Sequence, residues 1–317
     1  MNKGASSLEI LFYSDKPEVV ETWIAYLRAE GLDFKPVFRE PGQEPTGARV
    51  AIVWMPYEQL FDKEAQLEVV FNVGAGVDAV LTSGMLPENV DLVRLEDSGM
   101  GAKMAEYVIH ALAEITRDMA QFRSAQAQQA WQPQPHVYVE DWPVGILGLG
   151  VIGSQIAASI AALGYPVLGW SRRQRHFDGV EPYAGADGFG KFLSGSRVLV
   201  NVLPLTPETH HILNWDTFSQ LLPGGHVINI GRGDHLNEDD LLECLDAGTL
   251  SGATLDVFKT EPLPSGHPFW THPAIQVTPH ISGTTNQRLA MRQIATKLRA
   301  WRAGTPFTGV IDRRAGY

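Results

Sequence analysis

The sequence predicts an α/β fold built from two doubly wound parallel sheets, each covered by helices on both faces. Three observations carry that expectation. Short apolar, β-branched runs alternate with stretches of helical periodicity along most of the chain, and parallel strands need such crossovers. A glycine-rich turn at 148–153 joins one of these runs to a helical stretch. Finally, 317 residues exceed what one core usually supports, so two domains are expected.

The elements follow in chain order. Leu8–Tyr13 reads as a strand and Pro17–Glu30 as a helix, with Pro17 near the first turn where its missing N–H is tolerated. Arg49–Val53 and Glu68–Asn72 are further short strands. From Gly101 to about Arg123 apolar residues recur at helical spacing (Met104, Val108, Ala111, Leu112, Ile115, Met119). A second strand series comprises Val144–Leu147, Val167–Trp170, Val198–Leu203, His226–Ile230, Gly252–Val257 and Ile275–Thr278. Helical candidates such as Ile152–Leu163 and Glu238–Ala247 separate most of them. Ligands of such sheets sit beyond the carboxyl ends of the strands, so the residues that follow each strand are the candidates for chemistry.

Composition narrows the partners. Hydrophobic residues at 44% and charged ones at 19% describe a globular chain. A net charge of −11 disfavours nucleic acid and acidic membranes, which are themselves polyanions. A small anionic substrate stays compatible, because a local arginine cluster dominates at short range. The lone cysteine, Cys244, rules out an internal disulfide and a thiolate-rich zinc site, so no metal is expected. It reads as a small buried hydrophobe within its helical run. No basic leader and no apolar stretch of roughly 20 residues is present, so a cytoplasmic location is expected.

Gly148-Leu149-Gly150-Val151-Ile152-Gly153 follows a strand and opens a helix. Gly148 permits the tight turn, Gly150 lets a pyrophosphate approach the backbone, and Gly153 allows close helix–strand packing. Free amides and the helix dipole would face the phosphates. A purely structural glycine turn is the competing reading, and the strand–turn–helix context favours dinucleotide binding. An NAD-selective site would carry Asp or Glu after the next strand, yet the chain reads Ser171-Arg172-Arg173, with Arg175 close behind. Two guanidinium groups suit a 2′-phosphate, so NADP(H) is expected over NAD(H). A solvated basic loop is the alternative.

Three strand-end segments complete the pattern: Asn229-Ile230-Gly231-Arg232-Gly233, Asp256 through Leu263 (DVFKTEPL), and Thr278-Pro279-His280-Ile281-Ser282-Gly283. With Val73 through Asp78 (VGAGVD), Glu106-Tyr107 and Leu203 through Thr209 (LPLTPET), the chain resembles the D-isomer-specific 2-hydroxyacid dehydrogenases. It looks closest to their glyoxylate/hydroxypyruvate reductase A branch. The likeness implies a Rossmann-type cofactor domain at 98–283, inserted into a flavodoxin-like substrate domain made of 1–97 and 284–317. It also implies a catalytic trio of Arg232, Glu261 and His280.

The chemistry suits that trio. Reduction of a 2-oxo acid needs a hydride at C2 and a proton at the developing alkoxide. Histidine titrates near neutrality and can supply the proton, Glu261 would orient the ring and favour its imidazolium, and Arg232 can hold and polarise the substrate. Each residue alone has a plainer reading: a surface ion-pair partner, a loop carboxylate, a core histidine.

The resemblance further implies that Gly74, Ala75 and Gly76 cradle the substrate carboxylate. It implies that Trp54 roofs a pocket sized for glyoxylate or hydroxypyruvate; a core aromatic is the alternative for Trp54. Asp256 would contact the nicotinamide carboxamide, and Leu203, Pro204 and Ile230 would line the cofactor. A homodimer joined through the 101–123 helix is implied as well, with an intradomain core helix as the other reading of that segment. The competing function class is a non-catalytic NADP(H)-sensing protein, which has no need of a proton donor.

Overall fold

The computed structural model describes residues 7–74, 76–77, 80–81 and 86–313. The chain divides into two compact units, Met1–Gly99 with Thr285–Tyr317, and Met100–Thr284.

The first unit holds β1 (Leu8–Ser14), α1 (Glu18–Ala29), β2 (Phe34–Val37), β3 (Val50–Trp54), β4 (Val69–Asn72) and β5 (Asp91–Val93). The strands form one parallel sheet in the order β2-β1-β3-β4-β5, the flavodoxin-like order. Alternation along each strand sorts its side chains to two faces. Ile10, Phe12, Ile52 and Phe71 pack under α1 and the C-terminal helix Gln287–Ala303, which contributes Met291, Ile294 and Leu298. Leu11, Ala51, Val53 and Val70 pack on the opposite face with Leu60 and Phe61. Asn286 caps the C-terminal helix by accepting from the Leu289 amide, and Gly304 ends it with φ +65°.

The second unit contains α2 (Met100–Thr116), α3 (Met119–Ala127), β6 (Val144–Leu147), α4 (Val151–Ala161), β7 (Val167–Ser171), β8 (Val180–Ala184) and α5 (Gly185–Ser194). It continues with β9 (Val198–Asn201), α6 (Trp215–Phe218), β10 (Gly225–Asn229), α7 (Glu238–Asp246), β11 (Leu250–Leu255) and β12 (Ile275–Val277). The C-terminal helix of the first unit is therefore α8. All seven strands run parallel in the order β12-β11-β10-β9-β6-β7-β8. The chain reverses direction of growth between β6 and β9, the crevice where this topology binds ligands. Val144, Ile146, Val200 and Ile228 face α2 and α4, whereas Leu147, Leu199 and Val227 face the layer with α7.

Two departures from the sequence reading have local causes. The expected helix from Gly101 to Arg123 is two helices, broken where Asp118 takes a left-handed φ of +47° and its carboxylate caps α3 at Gln121. The apolar stripe of α2 (Met104, Val108, Ala111, Leu112) is buried inside this unit, so the intradomain core reading accounts for its pattern. In addition, β2, β5, β8 and α5 carried no recognised signal. Pro36 and Pro182 interrupt two of the strands, β5 has three residues, and α5 begins with the glycine-rich GADGFG. Among the described residues no helix is long and apolar enough to cross a membrane, and no His/Cys/Asp/Glu group is arranged to hold a metal ion. Cys244 is fully buried, and burial, with Asp240 and Glu243 adding to it, pushes its thiol up to about 11.

Candidate active site

The glycine turn lies between the end of β6 and the start of α4. Gly148 has φ +107°, a region that side chains other than glycine rarely adopt. A Cβ on Gly153 would stand 1.8 Å from the Gly148 carbonyl oxygen, so close packing of helix on strand demands glycine there. At Gly150 an added Cβ would meet nothing within 4 Å. The outer two glycines are thus required by the protein itself, while the middle one opens on free space. Leu149 buries its side chain against Gly169, Ile152 packs on the core and Val151 is exposed. Their contribution at this turn is therefore backbone.

Arg175 donates to the Leu149 carbonyl at 3.1 Å, which ties the arginine loop to the glycine turn. The Ser171 hydroxyl donates to Arg173 O at 2.7 Å and shapes that loop. Arg172 and Arg173 are exposed. Glu208 is held below the usual carboxylate range by its own backbone amide, then by the Thr206 hydroxyl, with Arg172 adding a Coulombic share. An open position at Gly150, a helix start with no acidic residue in its first turn, and two exposed guanidinium groups together fit a dinucleotide carrying an extra phosphate.

Glu261 and His280 come from separate loops and meet. The Glu261 Oε2 atom accepts from His280 Nδ1 at 2.8 Å, and Glu261 Oε1 accepts from the Phe258 amide at 3.0 Å. Both oxygens are therefore engaged, the ring is oriented, and Nε2 is left as the nitrogen able to carry a transferable proton. The pair is reachable, with side-chain exposures of 49% for His280 and 36% for Glu261. His280 itself has φ +53°. Its turn is held from beneath by Asp256, which is fully buried. Asp256 accepts from the Ile281 and Ser282 amides at 2.8 Å each, and from Thr278 Oγ1 at 2.6 Å. The carboxylate expected at the nicotinamide thus organises the histidine loop.

Arg232 follows β10 and is half-buried, its Nη1 donating to Gly231 O at 2.8 Å. Gly233 brings its loop onto the Glu261 loop, since a Cβ there would lie 1.9 Å from the Phe258 carbonyl carbon and 2.2 Å from the Lys259 amide. The loops bearing Arg232 and Glu261 are accordingly in backbone contact. Ile230 is a core side chain, and Leu203 packs beside Gly148.

Two polar networks escaped the sequence reading. Tyr107 and Thr278 share a hydrogen bond of 2.7 Å between their hydroxyls. Because Thr278 donates to Asp256, Tyr107 is the donor in that pair; burial pushes its phenol up to about 12, so it keeps its proton. The second network joins Asn201, Asn229 and His235, all without exposed surface. Tyr107, Thr278 and Asn229 stand in the quoted motifs, but their partners lie far along the chain, and no spacing reveals such pairings.

In the first unit, Trp54 and Gly74 are brought together: a Cβ on Gly74 would fall 2.3 Å from the indole Cζ3. Trp54 also packs against the core, as its alternative reading anticipated. The Gly74 amide donates to Asn72 O at 2.9 Å in a tight turn after β4. Asn72 in turn donates to Gly76 O at 2.8 Å. Ala75 lies outside the described residues.

Comparison with known proteins places this geometry in context. The NAD-binding domain of the D-isomer-specific 2-hydroxyacid dehydrogenases matches residues 109–282. Glyoxylate/hydroxypyruvate reductase A of Serratia proteamaculans is 42% identical over 302 residues, covering 94% of this chain and 96% of that protein. The D-isomer-specific 2-hydroxyacid dehydrogenase of Xanthobacter autotrophicus, solved with NADPH and MES, superposes with a TM-score of 0.92 at 35% identity, covering 98% of this chain and 100% of that one. The NADPH-dependent glyoxylate/hydroxypyruvate reductase of Sinorhizobium meliloti, solved with NADP and sulfate, gives a TM-score of 0.91 at 35% identity, covering 98% and 99%.

Proposed function

The chain belongs to the D-isomer-specific 2-hydroxyacid dehydrogenases, and from that premise we propose that it reduces glyoxylate and hydroxypyruvate to glycolate and D-glycerate with NADPH. The observation that carries the proposal is the reachable imidazole–carboxylate pair at 2.8 Å. A protein that only senses the dinucleotide has no use for an oriented proton donor.

NADPH supplies the hydride. The residues to hold it are the amides of the glycine turn for the pyrophosphate, with Ser171, Arg172 and Arg173 for the 2′-phosphate. Arg232, permanently cationic, binds the 2-oxo acid and draws electron density toward the carbonyl oxygen. His280 gives its Nε2 proton to the oxygen that becomes the hydroxyl. Glu261 holds the ring through Nδ1 and so directs Nε2 for the transfer. The turn through Gly74, Ala75 and Gly76 is proposed as the carboxylate cradle and Trp54 as the side chain limiting substrate size. A homodimer in the cytoplasm completes the reading, and sedimentation tests its oligomeric part.

The decisive experiment is a panel of 2-oxo acids assayed with NADPH and NADH in parallel. Turnover is expected with glyoxylate and hydroxypyruvate, and less with bulky 2-oxo acids. Replacing Arg172 and Arg173 with Ala should weaken NADPH by roughly 10- to 150-fold per lost charged contact and leave NADH nearly unchanged. No turnover with any acid would instead favour the sensor.

A further inference from the structure

Resting on the reading of Arg232 as the substrate-binding cation, we infer that His235 is its positioning residue. Through Nδ1 the imidazole clamps the Arg232 amide to Asn201 at the end of β9 and so sets where the guanidinium stands.

His235 closes the short helical turn Gly233–His235 and is completely buried. Its Nδ1 faces two donors, the Arg232 amide at 3.0 Å and Asn201 Nδ2 at 2.9 Å. A proton on Nδ1 would set N–H against N–H, so the proton belongs on Nε2, which meets the Pro204 carbonyl at 3.2 Å. Asn201 directs its amide nitrogen also to Asn229 Oδ1 at 2.9 Å, and Asn229 Nδ2 donates to Arg232 O at 3.0 Å. The amide and the carbonyl of Arg232 are therefore both held by buried side chains. One ring thereby joins the loop after β9 to the loop after β10.

The backbone is shaped to admit this clamp. A Cβ on Gly231 would lie 2.8 Å from Asn201 Nδ2 and 3.0 Å from His235 Nδ1, so only glycine lets the network close around the residue before Arg232. A buried amide left without its acceptor is costly, and the chain would relieve it by moving. Displacing a substrate-binding group by about 1 Å costs on the order of 100-fold in rate or affinity.

Two near-isosteric variants separate positioning from mere packing. His235→Asn keeps an acceptor close to the Nδ1 position and loses the reach to Pro204. His235→Gln keeps that reach and loses the acceptor for Arg232. For His235→Gln we expect KM for glyoxylate and hydroxypyruvate to rise about 10- to 100-fold. His235→Asn should stay within about threefold of wild type, and both should bind NADPH within about threefold of wild type in a fluorescence titration without substrate. Equal KM changes in the two variants, an unchanged KM in His235→Gln, or a His235→Asn protein that does not fold would overturn the clamp. Arg232→Lys, assayed alongside, tests the underlying reading separately. If it leaves KM unaltered, Arg232 does not bind substrate; if it raises KM while His235→Gln does not, only the clamp fails.

Discussion

A proton donor must be open to substrate and yet fixed in direction, and His280 reconciles the two by division of labour. The side chain is about half exposed, while Nδ1 is occupied by a carboxylate whose second oxygen is anchored to the Phe258 amide. Replacing His280 with Gln should lower kcat by about 10²–10⁴ and leave NADPH affinity unchanged. Glu261→Gln should lower it less, because the donor survives with a poorer alignment. Steady-state rates paired with cofactor titration check both; an undiminished kcat in His280→Gln would mean that another group gives the proton. Arg232, Glu261 and His280 were singled out from the sequence through the family motifs at three strand ends, and the structure brings two of them, Glu261 and His280, together. His235 was not singled out, nor was the partner of Tyr107. Tyr107 meets Thr278 across 171 residues of chain, a pairing that no periodicity encodes.

At the scale of elements, the sequence was readable where hydrophobic pattern decides the structure and silent where tertiary packing overrides propensity. β6 and β9 are apolar and β-branched and were found nearly to the residue, whereas the glycine-rich start of α5 and the prolines in β2 and β8 masked elements held by their neighbours. The break at Asp118 was hidden because the apolar spacing runs straight through it.

The turn between β6 and α4 invites a paired test. Gly153→Ala sets a methyl 1.8 Å from a backbone oxygen that cannot yield, so it should lose stability by more than about 2 kcal/mol. Gly150→Ala meets only open space, so it should melt like wild type and yet bind NADPH more weakly. Equal stability losses in the two would contradict the assignment of the open side to the pyrophosphate.

β10 holds a different commitment. His226 is buried in it with Nε2 3.0 Å from Thr254 Oγ1, and burial lowers its pKa from 6.5 to about 3. Over that window the unfolded chain binds a proton that the folded one refuses, so stability falls as pH drops below 6.5 and the fall continues toward 3. Between pH 7 and pH 5 the loss from this group should be about 2 kcal/mol. Urea midpoints at the two pH values, compared with those of His226→Asn, measure it; an equal acid sensitivity in the variant would assign the effect elsewhere.

Over the whole molecule, the buried clusters sort cleanly by unit. The two that sandwich the seven-stranded sheet draw only on residues of Met100–Thr284, and this unit is one continuous stretch of chain. It contains the glycine turn, the arginine loop, Arg232 with its His235 contact, and the Glu261–His280 pair. A segment that keeps its sheet and both cores has what a domain needs to fold alone. Residues 100–284 expressed by themselves should therefore unfold in one cooperative transition and bind NADPH within about tenfold of the full chain. Met1–Gly99 should not fold by itself. Five of the nineteen buried residues described in one core there, Met291, Ile294 and Leu298 among them, come from α8, and the buried Lys297 ties that helix to Arg94 O and Thr308 O. Calorimetry and cofactor titration on the two fragments decide the matter, since a 100–284 fragment that stays unfolded would show that its core is not sufficient by itself.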